Sequence, residues 1–353
     1  MSLHRRCQKI GIQQAIDLYR YLLKSIDFAK HFWESEQIDP LYAGDLFCII
    51  EGIYNKAKRK KLPQKAVYLQ TLPTLCYKAL GGNPESACII NSAWILFYAA
   101  FNLFDKLEDN EIDESIKNRL TEPSLINIST GLLLSAESLL EISPMYPKLV
   151  REKPYWNLTN LLTLHMCSGQ QQDLLATEPT LETLWLIAKE KSGSFFSIGC
   201  ILGALSAFLT SDTAYANVID VFRSFGNELG IIIQLANDID GLWAKENKKS
   251  DIECGKWTFP IAYSMQVLEP SKKKTLRDLI QKAPGDKEST EKARGMIIGS
   301  GAIIFSVLEI ERHKNIAWNL LNELSLGDLA KELSDLLSMI GDIKLQAIPN
   351  DPQ

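Results

Sequence analysis

Ile231-Ile232-Ile233-Gln234-Leu235-Ala236-Asn237-Asp238-Ile239-Asp240-Gly241-Leu242-Trp243 sets polar side chains into an otherwise apolar run. At about 100° per residue, Gln234, Asn237, Asp238 and Gly241 fall in one narrow helical sector, and Lys245 joins them. Asp240 lies well away from Asp238. A neutral polar group buried without a partner costs about 2–7 kcal/mol, and a charge costs more. Such a helix needs a reason for its polar sector. A buried structural network is one; a metal or diphosphate role is the reading preferred here.

Outward from this stretch the helical period continues. In Ile12-Gln13-Gln14-Ala15-Ile16-Asp17-Leu18-Tyr19 apolar residues recur at three- and four-residue steps, the mark of an amphipathic helix. The same pattern predicts helices near 40–57, 66–80, 85–108, 125–142, 155–175, 181–191, 194–209, 213–244, 257–267, 288–319 and 327–345. Stops such as Leu80-Gly81-Gly82-Asn83-Pro84 and Ala283-Pro284-Gly285 separate them. Strand-like alternation is nearly absent and no repeat or linker appears. One all-α domain over residues 1–353 follows, a bundle with long central helices of the kind that builds sites from facing helices.

Composition narrows the function. A chain that is 46% apolar and 23% charged reads as soluble and globular. A net charge of -5 argues against a nucleic-acid partner. Its basic exception is the run Lys56-Ala57-Lys58-Arg59-Lys60-Lys61, read as a solvated face. Seven scattered cysteines without C-x-x-C spacing suggest reduced thiols and a cytoplasmic protein. No run of roughly twenty apolar residues stands out, so no transmembrane segment is expected.

A second acidic segment closes an apolar helix. Trp94-Ile95-Leu96-Phe97-Tyr98-Ala99-Ala100-Phe101-Asn102-Leu103-Phe104 leads into Asp105-Lys106-Leu107-Glu108-Asp109. Asp105 and Asp109, four apart, share a helix face within reach of one cation. Their hard oxygens suit magnesium. Taken alone, the segment reads better as a solvated acidic helix end.

With both segments in view, the chain resembles the trans-isoprenyl diphosphate synthase (polyprenyl synthetase) family over about 62–325. The resemblance rests on Leu80-Gly81-Gly82-Asn83-Pro84-Glu85, on Gly169-Gln170-Gln171-Gln172-Asp173-Leu174, on Lys191-Ser192-Gly193-Ser194-Phe195-Phe196 and on Asn237-Asp238 followed by Asp251-Ile252-Glu253-Cys254-Gly255-Lys256-Trp257-Thr258-Phe259-Pro260. Each is weak alone; their order and spacing are specific. The resemblance implies an antiparallel isoprenoid synthase bundle around a deep central cavity. It implies metal ligands at Asp105, Asp109, Asn237 and Asp238, and diphosphate contacts from Lys191 and Lys256. It places Gln170, Asp173 and Gln234 along the cavity, and it suggests a homodimer. Tyr98 and Phe101, with Trp94, Phe195 and Phe196, are candidates to face an allylic cation. In the family, bulk one turn before the first aspartate shortens the pocket, so Phe101 implies a short prenyl chain, C10–C20.

The departures matter as much. Lys106 stands where the family has its second aspartate, and Asn237 and Gly241 stand where it has others. The family's G-G-K-R-x-R-P falls on Val67-Tyr68-Leu69-Gln70-Thr71-Leu72-Pro73, which holds no cation. Those cations hold isopentenyl diphosphate, and a diphosphate needs several of them. The expectation is therefore a magnesium-dependent, terpene synthase-like enzyme that ionises one allylic diphosphate with loss of diphosphate. The alternatives are a prenyltransferase joining that substrate to isopentenyl diphosphate or another acceptor, and a non-catalytic partner subunit of a homologous synthase.

Overall fold

The computed structural model describes residues 3–143, 155–207, 215–244 and 249–341, with the backbone alone for 3–16, 155–157 and 215. Among the described residues there is no strand. The chain divides into two compact units, residues 1–158, 199–222 and 326–336, and residues 159–198, 223–325 and 337–353.

The first unit opens with helices α1 (Leu3–Ser35), α2 (Pro40–Lys58), α3 (Gln64–Gln70), α4 (Leu72–Ala79) and α5 (Cys88–Glu108). Short α6 (Glu114–Lys117) and long α7 (Glu122–Ile142) follow. Helix α5 is the core, packed chiefly against α7 and α1. Its buried polar groups are bonded to neighbouring segments. Trp94, fully buried, donates its indole N–H to the Leu69 carbonyl at 2.8 Å. Asn91 donates to the Gln70 carbonyl at 3.2 Å, and the Ser92 hydroxyl donates to the Ser25 carbonyl at 2.7 Å. Truncating a buried tryptophan typically costs about 3–5 kcal/mol, so Trp94 is a principal anchor of this unit.

Two sequence expectations are corrected here. The helix expected over 66–80 is broken at Thr71, which caps α3 and opens α4. Pro73, in the first turn of α4, has no N–H to continue the ladder. Second, Pro84–Glu108 and Glu122–Ile142 are each long and apolar enough to cross a membrane by length and composition. The reading that no such run exists missed them. Two thirds of the apolar window in the first is buried within the protein, so its apolarity serves the core.

Helices α8 (Tyr155–Leu175), α9 (Leu181–Ala188), α10 (Ser194–Ala207) and α11 (Tyr215–Asp240) come next. Then α12 (Phe259–Val267), α13 (Pro270–Lys282), α14 (Lys287–Gly299), α15 (Ala302–Glu323) and α16 (Lys331–Met339) complete the chain. The helix expected over 288–319 is two helices bent by 56°, because Gly301 sits at φ 83° and caps α15. In the second unit Trp185 of α9 packs its ring on Phe259 at 4.5 Å and on His313 at 5.4 Å. His313 is buried and paired with Glu228 of α11 at 2.5 Å. These contacts fix the start of α12, which matters for the site below.

Candidate active site

Asp238 lies in the last turns of α11 and is only 6% exposed. One carboxylate oxygen accepts from the Gln234 amide at 2.9 Å, and the other from the Phe259 backbone N–H at 2.9 Å. Gln234 in turn accepts the Ser192 hydroxyl at 2.8 Å. Even with these donors, burial pushes the Asp238 carboxyl up to about 7, and the nearby charges of Asp251 and Asp173 push the same way. Phe259 is the first residue of α12, so the helix's positive end points at Asp238. Asn237, expected to share ligand duty with Asp238, is exposed. The helix also ends earlier than expected, at Asp240, and Lys245 falls outside the described residues.

A π-helical turn, Lys189–Gly193, joins α9 to α10. Such single-turn bulges re-aim side chains within a helix. This one turns Ser192 onto Gln234 and sets the Lys191 ammonium on the Asp173 carboxylate of α8 at 2.8 Å. Lys191 and Asp173 thus form a cross-helix ion pair; Gln170, also on α8, is half-buried. The bulge depends on close approach of backbones. A Cβ on Gly230 of α11 would lie 2.2 Å from the Ser192 carbonyl oxygen, and one on Gly169 would lie 2.5 Å from the Lys191 nitrogen. Only glycine fits at either place.

Residues 249–258 form a tight turn ahead of α12. Ser250 donates from both its N–H and its hydroxyl to Glu253, at 2.7 and 2.8 Å. Gly255 adopts φ 70°, and the Lys256 N–H closes onto the Asp251 carbonyl at 2.9 Å. Lys256 is half-buried. Thr258, the residue before Phe259, is buried, and its hydroxyl has no hydrogen-bond partner among the described residues. Asp251 explains the missing aspartate at 241. A Cβ on Gly241 would sit 1.9 Å from an Asp251 carboxylate oxygen. The Asp251 carboxylate therefore occupies the space that a side chain at 241 would fill.

In the first unit, Asp105 lies in the last turn of α5 and Asp109 caps it, with the Asp109 N–H on the Asp105 carbonyl at 2.9 Å. Carboxylates at a helix C-terminus add to the negative end of the macrodipole, which disfavours them unless a cation is near. Lys106 does not supply that charge to its neighbours alone: it pairs with Asp113 at 3.0 Å. Below the carboxylates runs an aromatic face, Phe97 to Phe101 at 4.7 Å and Phe101 to Phe104 at 6.0 Å. Tyr98 packs edge-on to Trp94 at 5.8 Å, and burial pushes its hydroxyl up to about 12. Phe195 and Phe196, in the second unit, pack edge to face on each other.

The stretch Val67–Pro73 is buried throughout, with Leu69 at 7%, Gln70 at 6% and Leu72 at 0% exposure. Trp94 and Asn91 hold its carbonyls. Gly203 of α10 comes so close that a Cβ there would lie 2.3 Å from the Pro73 carbonyl oxygen. Positions that are cationic in the family are core here.

Among the described residues no three His, Cys, Asp or Glu side chains converge on a point that could hold a metal. A magnesium ion needs less, since it is commonly held by one or two carboxylates, with waters and substrate phosphate oxygens completing its shell. Asp238 offers such a group, its negative charge opposed by two other carboxylates. The donor chemistry therefore fits a divalent cation. Asp105 and Asp109 belong to one unit, and Asp173, Lys191, Gln234, Asp238 and Lys256 to the other. Sequence reasoning gave no role to Ser192, Asp251, Thr258 or the Phe259 N–H. The motif context quoted all four, but nothing in their spacing marked them.

Comparison with known proteins fits this geometry. Residues 71–297, which span parts of both units, match the family model described as Polyprenyl synthetase. A curated relative, "Tryptophan prenyltransferase ComQ" of Bacillus spizizenii, is 33% identical over 179 residues. That stretch is 50% of this chain and 58% of the relative, so the chain spans little more than half of it. A geranylgeranyl pyrophosphate synthetase from Pyrococcus horikoshii Ot3 superposes with a TM-score of 0.74 at 17% identity, covering 93% of this chain and 99% of that one. A geranylgeranyl pyrophosphate synthase from Corynebacterium glutamicum, solved with isoprenyl diphosphate and magnesium, gives 0.71 at 17%, over 91% and 97%. At these identities the structures establish the all-α isoprenoid synthase fold.

Proposed function

We propose, for a chain that belongs to the polyprenyl synthetase family, a prenyltransferase that moves a short prenyl group from an allylic diphosphate to an acceptor other than isopentenyl diphosphate. The observation that carries this reading is the buried, cation-free stretch Val67–Pro73. A second diphosphate needs several cationic donors, and this stretch offers none. The likeness to a tryptophan prenyltransferase points to an indole side chain as that acceptor.

The chemistry follows from the residues. Within the second unit, Asp238 is the carboxylate that would hold magnesium. The ion, when bound, supplies Lewis-acid neutralisation of the diphosphate. Lys191 and Lys256 add positive charge as the allylic C–O bond breaks and the electron pair leaves with the diphosphate. Asp173 orients Lys191 through their ion pair. In the first unit, the aromatic face from Phe97 to Phe104 is an apolar surface of the kind a prenyl chain packs on. Ring π electrons of the indole then form the new carbon–carbon bond, and one proton leaves the acceptor. No protein nucleophile is required.

The test incubates the purified chain and magnesium with geranyl, farnesyl or geranylgeranyl diphosphate in three arms. One arm adds a tryptophan-containing peptide, one adds isopentenyl diphosphate, and one adds no acceptor. Peptide heavier by one prenyl group is the expected product. Longer prenyl diphosphates would overturn the proposal in favour of chain elongation. Hydrocarbon or prenyl alcohol in the arm without acceptor would establish a diphosphate lyase instead. Silence in every arm would mark a non-catalytic partner subunit.

A further inference from the structure

We propose that the turn Lys56–Lys61 is a docking surface for an anionic phospholipid bilayer. Lys56, Lys58, Arg59, Lys60 and Lys61 are all exposed. None of the five has an ion-pair partner among the described residues. Glu51, the acid one to two turns earlier on α2, is engaged by Arg119 at 3.8 Å. Asp27, on α1, is bonded to the Tyr54 hydroxyl. In a chain of net charge -5 this is a concentrated exception.

The charges are displayed on a fixed frame. The Lys61 N–H donates to the Lys56 carbonyl at 2.8 Å, and the Lys60 N–H to the Ala57 carbonyl at 2.9 Å. This double closure is the Schellman ending, which normally places glycine at the left-handed position. Here Lys60 adopts φ 53°. A residue with a Cβ costs stability there, and it brings a charge that glycine would not. Ala57 and Leu62 are buried on either side of the turn, and the Tyr19 hydroxyl donates to the Leu62 carbonyl. Two basic residues in the last turn of α2 are accounted for by the helix dipole. The three that follow, Arg59, Lys60 and Lys61, are not.

A bilayer is the partner this shape favours. Five exposed cations within six residues suit a uniformly anionic surface, whereas a peptide needs contacts in register. Each cation near an anionic leaflet raises partitioning about fivefold.

The experiment sediments the full chain with vesicles of phosphatidylcholine alone, or with about 30 mol% phosphatidylserine. Binding at least about 100-fold stronger to the anionic vesicles is expected, and it should collapse near 0.5 M salt, where the Debye length is only about 4 Å. Neutralising the turn, Lys56→Gln and Lys58→Gln with Arg59→Gln, Lys60→Asn and Lys61→Gln, should abolish the preference. Arg59→Glu alone should weaken it about 25-fold. Both variants should melt with the parent and retain its activity on soluble substrate. Equal binding of the neutralised variant, or of the two vesicle types, would overturn the proposal. So would capture of poly-glutamate with no vesicle binding, which would assign the turn to an acidic protein instead. None of the binding readouts uses catalysis, so the result stands apart from the reaction proposed above.

Discussion

Replacing Asp238 with asparagine should stabilise the substrate-free protein while removing its activity. A carboxyl raised from an ordinary 3.8 to about 7 is penalised in its charged form by burial first, then by Asp251 and Asp173. At about 1.4 kcal/mol per pKa unit the penalty is about 4.4 kcal/mol well above neutral pH. Relaxation around the charged group should reduce this to about 1–3 kcal/mol. The sign follows from linkage. Because the folded pKa lies above the unfolded one, the folded state holds the proton longer. Stability from this group is therefore full below about pH 4 and is lost as pH rises through about 7. An asparagine there has no charge to lose, so the slope disappears. The neighbours can accept the change: the asparagine oxygen faces the Phe259 N–H, its amide faces Gln234, and Gln234 flips so that its own amide meets Ser192. Urea unfolding of parent and variant at several pH values between 4 and 8 measures the difference. Curves that remain parallel across that range, or a variant weaker than the parent at pH 8, would refute the assignment. Activity should fall at least about 100-fold, since the carboxylate proposed to hold magnesium is gone.

Gly230→Ala should lose activity and about 1–3 kcal/mol of stability by circular dichroism melts, because its Cβ would lie 2.2 Å from the Ser192 carbonyl oxygen and displace the π-helical turn. Gly241→Asp, which would restore a family aspartate in sequence, should destabilise the protein, its Cβ falling 1.9 Å from the Asp251 carboxylate. Adding Asp251→Gly should recover much of that loss in the same melts, a coupling that a double-mutant cycle reads directly. Leu72→Arg, which restores a family cation, should yield insoluble or molten protein and no chain elongation, since it buries a charge at a position of 0% exposure. Soluble, isopentenyl-dependent elongation by that variant would contradict the buried-cradle argument.

The all-α class was legible in the sequence because amphipathic periodicity is local: each helix writes its own buried face. The family and the order of its motifs were legible too, since Gly169–Leu174, Lys191–Phe196 and Asp251–Pro260 keep their spacing. Helix breaks at Thr71 and Gly301 were missed, being settled by one residue's backbone within an unbroken apolar pattern.

Other properties came only from tertiary contact. That Asp238 is buried and raised depends on Gln234, Phe259, Asp251 and Asp173, residues up to 65 positions away along the chain. Lys191 meets Asp173 because a π-helical turn and two glycines bring separate helices within contact. The absence of cations at Val67–Pro73 was plain in the letters. That those positions are sealed core beneath Trp94 and Gly203 was not. Residue type fixes which groups are available, but burial and partner, which set their charge and reach, belong to neighbours the sequence does not place.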